Sequence, residues 1–142
     1  MPKQETPQPQ PAAPVPVLPQ PVVRNADTSL AEAQRAVDDG EINRARSIYN
    51  ALLSGPALSH AAALRLAEGL YRVRDFAAAT RAFQRAGTLG RGEERYHYYY
   101  AVALYESGRY GDAKRELNAA LPYIAVTTDV ARYRAKIDGA IQ

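Results

Sequence analysis

From Asn25 onward, apolar residues return every three to four positions, and no stretch alternates apolar and polar residues as a half-buried strand would. Short turn-forming groups interrupt this pattern at a fixed spacing. Asp39-Gly40-Glu41-Ile42, Arg74-Asp75-Phe76 and Gly108-Arg109-Tyr110 follow one another at intervals of 34 residues, each between two helically periodic runs. An alanine follows each turn at the same offset (Ala45, Ala79, Ala113). After it come a large residue (Tyr49, Phe83, Leu117) and then Leu52, Ala86 and Ala120. Upstream of each turn stands a small residue, Ala33, Ala67 or Ala101, beside a large slot held by Leu66 and Tyr100 but by Glu32 in the first unit.

The pattern predicts a helix–turn–helix unit present three times. A small residue on the first helix opposite an alanine on the second lets the two axes approach closely, and the large residue a turn further on fills the space beside that contact. Gly40, Asp75 and Gly108 suit the tight turns. One unit alone cannot bury its apolar face, whereas stacked units bury a continuous seam. Local chemistry sets the expected boundaries. Ser29 and Glu32 form a capping box near the start of the first helix. Gly55-Pro56 ends the second helix and places proline in the first turn of the third. Gly87, Gly90 and Gly92 mark the next gap, with Glu93-Glu94 favouring a helix start. Thr127-Thr128-Asp129 caps a seventh helix, whose Val130, Tyr133, Ile137 and Ile141 share one face. The expected fold class is all-α, with about seven helices.

The 34-residue period resembles the tetratricopeptide repeat. In the third unit Tyr100-Ala101, Leu104, Gly108, Tyr110, Ala113 and Ala120 fall on that family's pattern. The second unit follows it with Arg74 in place of the turn glycine. The first departs at Glu32 and at the small Ala36, and reads as an N-terminal cap. Tryptophan is missing throughout and Pro122 comes early. The resemblance implies a right-handed superhelical array of antiparallel helix pairs over residues 25–142. The units would run over about 26–59, 60–93 and 94–127, with a capping helix over about 128–141. It also implies a concave groove lined by the first helix of each unit. Arg95, Tyr98, Tyr99, Val102 and Tyr105 would face it from the third unit. Leu64, Arg65, Glu68, Tyr71 and Arg72 would do so from the second, and Leu30, Gln34, Val37 and Asp38 from the first. The lysine and asparagine of the subgroup that clamps a peptide C-terminus are absent from those slots.

Composition changes this picture at the N-terminus. Residues 1–24 hold eight of the ten prolines, a composition that excludes a helix and favours an extended spacer. The PxxP spacing of Pro11–Pro14 and Pro16–Pro19 also admits a ligand for an aromatic-lined groove. A net charge of +3, with arginines scattered among 15 acids, does not make nucleic acid an expected partner. Arg65, Arg72 and Arg95 are interrupted by Glu68, Glu94 and Glu106. Cysteine is absent, which excludes disulfides and thiolate metal sites. No apolar run is long enough to span a membrane, and the N-terminus lacks a signal-peptide pattern, so the chain as it stands is expected to be cytoplasmic, unless it is a piece of a longer, anchored protein.

His60 and His97 belong to no catalytic or metal-binding motif, so neither an enzyme, a cofactor nor a small-molecule substrate is expected. Residues 94–110 hold six of the ten tyrosines, three of them consecutive, with arginine nearby. Rigid aromatics with polar tips beside arginine make good binding surfaces. Two readings of Tyr98, Tyr99 and Tyr105 follow: a groove that takes a peptide or partner helix, or packing beneath the seventh helix. The expected function is a non-enzymatic protein-interaction module. The alternative is a self-association module, a homodimer formed through the apolar face of Val130–Ile141.

Overall fold

The computed structural model describes residues 25–141. Among them lie seven α-helices and no strand. The helices are α1 (Ala26–Asp38), α2 (Ile42–Ser54), α3 (His60–Arg72), α4 (Phe76–Ala86), α5 (Glu94–Glu106), α6 (Tyr110–Ala120) and α7 (Thr128–Ala140), with a single 3-10 turn at Leu121–Tyr123. The expectations for the proline-rich tail fall on residues 1–24, outside the described residues.

The period seen in the sequence is a period of the structure. Helices α1, α3, α5 and α7 begin at residues 26, 60, 94 and 128, 34 apart. Consecutive helices pair as α1/α2, α3/α4 and α5/α6, and each pair packs on the next, as in a helical repeat array. The six alanines expected at the pair contacts (Ala33 with Ala45, Ala67 with Ala79, Ala101 with Ala113) are all 0 % exposed. A larger side chain at any of them would push two backbones apart.

The three turns are built alike. Gly40 donates to the Val37 carbonyl and Glu41 to that of Ala36. Arg74 donates to Tyr71 and Asp75 to Leu70, then Gly108 to Tyr105 and Arg109 to Leu104. This is the Schellman closure, which needs a left-handed residue just past the helix. Glycine supplies it at Gly40 and Gly108, but Arg74 adopts φ 62°. An L-residue held there costs about 1–2 kcal/mol, offset in part by the extra unfolded-state freedom of glycine. Arg74→Gly is therefore expected to raise stability by about 0.5–1 kcal/mol, less whatever the Arg74 guanidinium gains 5.2 Å over the Phe76 ring. The shift in a urea unfolding midpoint measures it.

Neighbouring units are also joined by polar bonds. Arg46 donates from α2 to the Val73 carbonyl at 2.8 Å, and Asn50 donates to the Asp75 carboxylate at 2.9 Å. Both hold the second turn from outside. Arg85 reaches back to the Leu53 carbonyl.

Several helix starts differ from expectation. Asn25, not Ser29, caps α1, accepting from the Asp27 N–H at 3.1 Å, so the helix begins a turn earlier than the Ser29/Glu32 box requires. Pro56 is not in the first turn of α3. The chain stays irregular from Gly55 until Ser59, whose hydroxyl accepts from Ala62 N–H. The Thr127 cap of α7 forms as expected. Ile141 is exposed just beyond α7 rather than sharing the buried face of Val130 and Ile137. Tyr110, which falls on the repeat pattern, is 42 % exposed at the start of α6.

Candidate functional site

Helices α1, α3 and α5 share one side of the array and touch one another across the units. Between them lies a cleft of about 220 Å³, lined by Leu30 and Gln34, by Arg65, Glu68 and Gly69, and by Arg95 and Tyr96, with Tyr49 of α2 among its walls. Tyr49 is buried against α3 at Gly69. A Cβ at Gly69 would stand 2.3 Å from the Tyr49 ring carbon Cζ and 2.6 Å from its hydroxyl. The equivalent positions are Arg35 and Ala103, so this glycine belongs to the cleft and not to the repeat. A lone glycine inside a helical pattern was the available signal for it.

The polar groups of the cleft are held but not sequestered. Arg65 pairs with Asp27 at 3.3 Å, both well exposed. Arg72 grips Glu68 at 3.0 Å one turn away, and Gln34 donates to Asp38 at 3.0 Å. Arg95 lies 4.4 Å over the Tyr96 ring centroid and donates to the Tyr96 hydroxyl at 2.8 Å. Burial, then the nearby Glu68 charge, raises the pKa values of both the Tyr49 and Tyr96 hydroxyls. They remain neutral donors at physiological pH. The cleft thus offers two arginines, a carboxylate, an amide and two phenols across three units.

The C-terminal half of the expected groove is filled by the chain itself. Val102 is 1 % and Tyr98 8 % exposed, in one apolar cluster with Val130 and Ile137 of α7. Tyr133 meets Tyr98 and Tyr105 edge-on, at 6.5 and 6.0 Å between centroids. Its hydroxyl donates to Glu106 at 3.0 Å, and burial followed by that bond pushes its pKa up to about 12. The cause is the period. Starting 34 residues after α5, α7 lies beside α5 as α5 lies beside α3, in the place of the first helix of a fourth unit. Tyr98 and Val102 are therefore not open contact residues. Leu30 and Leu64 are buried too.

The homodimer reading loses most of its surface by the same packing, since Val130 and Ile137 face inward. On α7 the slots of Leu66/Tyr100 and Leu70/Leu104 hold exposed Arg134 and Asp138, charged where the earlier units carry large apolar residues. Of the remaining expected residues, Arg65, Arg72 and Arg95 are exposed and Glu68 is partly so. Tyr71 and Tyr99 are half-buried and tilted together at 4.7 Å, and Tyr105 is half-buried beside Tyr110. Tyr100 is stacked on Phe83 at 5.0 Å.

Both histidines acquire acidic partners that no local motif announced. His97 Nδ1 lies 2.6 Å from Glu116, tying α5 to α6. His60 Nδ1 lies 2.6 Å from the Ala86 carbonyl, and its Nε2 lies 2.9 Å from the Glu93 carboxylate. Both partners accept, so only the doubly protonated ring satisfies both. The Glu93 bond, then the Ala86 carbonyl, raises the His60 pKa above 6.5. The Gly90 N–H, then His60, lowers the Glu93 pKa below 4.5. The His60 contribution to stability is complete below pH 6.5 and is lost as pH rises through its raised folded value. The Glu93 contribution is complete above pH 4.5 and is lost as pH falls through its lowered folded value. Stability is expected to decline slightly from pH 6 toward pH 8, roughly the imidazole range. His60→Gln should flatten that decline in a thermal melt series.

No family model matches the chain, and neither a curated protein nor a solved structure does. Among the described residues no three metal-ligating side chains cluster, and no helix is long and apolar enough to cross a membrane.

Proposed function

We propose that the chain is a protein-interaction module of the tetratricopeptide kind that holds an extended peptide along α1, α3 and α5 and performs no chemistry of its own. The observation that carries this reading is the cleft, to which each of the three units contributes its first helix. A ligand that crosses it touches every unit, so the array presents one continuous site. Arg65 and Arg95 supply donors for peptide carbonyls or acidic side chains, and Glu68 supplies an acceptor. Tyr71 and Tyr99, tilted together at 4.7 Å, form a rigid aromatic margin next to Arg72. Compared with the expectation from sequence, the contact surface moves toward the N-terminal units, because α7 occupies the ground over Tyr98 and Val102.

A peptide-display selection against the whole chain supplies the probe. For the selected peptides, Arg65→Glu combined with Arg95→Glu should weaken binding by at least about tenfold, the effect expected of a central charged anchor. Far-UV circular dichroism should be unchanged, because both side chains are exposed. Arg134→Glu, on the outer side of α7, should have no effect. Peptides held equally well by the double variant would place the binding surface elsewhere.

A further inference from the structure

The large slot on the second helix of each unit holds Tyr49, Phe83 and Leu117, all buried. Two of the three units therefore fill it without a hydroxyl. In the first unit Gly69 makes room for one: a Cβ there would stand 2.6 Å from the Tyr49 hydroxyl oxygen. The counterparts of Gly69 one and two periods on are Ala103 and Ile137. Tyr49 is only 2 % exposed, yet it lines the α1–α3–α5 cleft. Among the described residues its hydroxyl has no hydrogen-bond partner, and the oxygen is not sealed from solvent. A phenol held this deep costs folding energy unless something accepts its hydrogen bond.

We infer that this hydroxyl is the floor of a carboxylate subsite, where an Asp or Glu side chain of the bound peptide accepts from Tyr49 and is flanked by Arg65 and Arg95. The inference rests on the groove reading above and adds the chemistry of the residue that the groove selects. Donors outnumber acceptors around the floor. Arg95 donates to the neutral Tyr96 hydroxyl, whose own proton remains available. Arg65 pairs at 3.3 Å with the well-exposed Asp27, and a surface pair of this kind is readily exchanged. Glu68, the one lining carboxylate, is already held by Arg72 at 3.0 Å. A cleft of about 220 Å³ takes the head of a side chain and not a folded element. A peptide that runs along all three units passes over the cleft, so it offers a side chain there and not its C-terminus. Burial, then the Glu68 charge, keeps the proton on Tyr49, which stays a donor wherever the incoming carboxylate is charged.

The test uses the whole chain and the peptides recovered by the display selection. Those peptides should share an Asp or Glu, and replacing it by Asn or Gln should weaken binding about tenfold or more. Amidating the peptide C-terminus should change nothing. Tyr49→Phe should weaken the acidic peptides about tenfold, yet hold their Asn or Gln versions as the wild type does, because groups that share one contact do not add. Its thermal midpoint should stay within about 2 °C of the wild type, since the same slot takes Phe83 in the second unit. Peptides without a common acid overturn the inference, and so does an equal loss on the acidic and amide versions. A lowered midpoint also overturns it, because the hydroxyl would then belong to the fold. Loss of binding on C-terminal amidation does the same, because the carboxylate would be the end of the chain. Where Arg65→Glu with Arg95→Glu weakens binding and Tyr49→Phe does not, the groove stands and the subsite falls. Where neither does, both fall.

Discussion

Leu70→Ala is expected to cost about 2–5 kcal/mol, the range for emptying a well-packed leucine site. Leu70 is fully buried in α3, the helix that contacts α1, α2, α4 and α5. Only α5 is flanked as completely, so the cavity has little room to close. The same slot holds Leu104 in the third unit and Ala36 in the first. The substitution therefore gives the central unit the weaker core of the terminal one. Because units in such arrays are stabilised by their neighbours, the loss should propagate and the whole chain should unfold at lower denaturant. Chemical unfolding followed by far-UV circular dichroism measures it. A loss below 1 kcal/mol would mean that the site collapses freely and that the centre of the array is loosely packed.

Ile137→Asp should detach α7. Ile137 is 0 % exposed in the cluster with Val102 and Leu117, and a lone carboxylate there costs several kcal/mol in desolvation. Releasing the helix is the less costly response. The Lys114–Asp138 and Tyr133–Glu106 bonds would break with it. Part of the helical signal should disappear in a separate step before the main transition, and Tyr98 should become reactive to nitration. Freed of its cover, the face of Tyr98, Val102 and Tyr105 should promote association, visible as concentration-dependent sedimentation. A monomer of unchanged helicity would show that α7 contributes little to closing the array.

The repeat was legible because it is written in spacing. Six alanines at two offsets per unit, and a left-handed turn residue each 34 positions, leave few other ways to pack. Arg74 was readable as a departure from that pattern, and its positive φ shows that the turn geometry prevailed over the preference of the residue. Helix starts were less legible. Asn25 and Ser29 are both competent caps for α1, and the choice between them depends on where the packed face must begin.

The site was legible only in part. Arg65, Arg72 and Arg95 stand in the open and Glu68 partly so, as their phase on the helix implied, whereas Tyr98 and Val102 have the same kind of phase and are buried. Helical phase determines which residues point to one side of the array, and nothing in it records whether a later helix returns to cover that side. Likewise, His60 with Glu93 and His97 with Glu116 are 33 and 19 residues apart, separations at which only folding creates a neighbour. The sequence by itself therefore determined the helices, their pairing and the period, because these follow from local propensity and repeated close contacts. Tertiary structure alone decided which tyrosines are surface and which are core. Burial is a property of what lies on top, and what lies on Tyr98 is a helix that begins some thirty residues later.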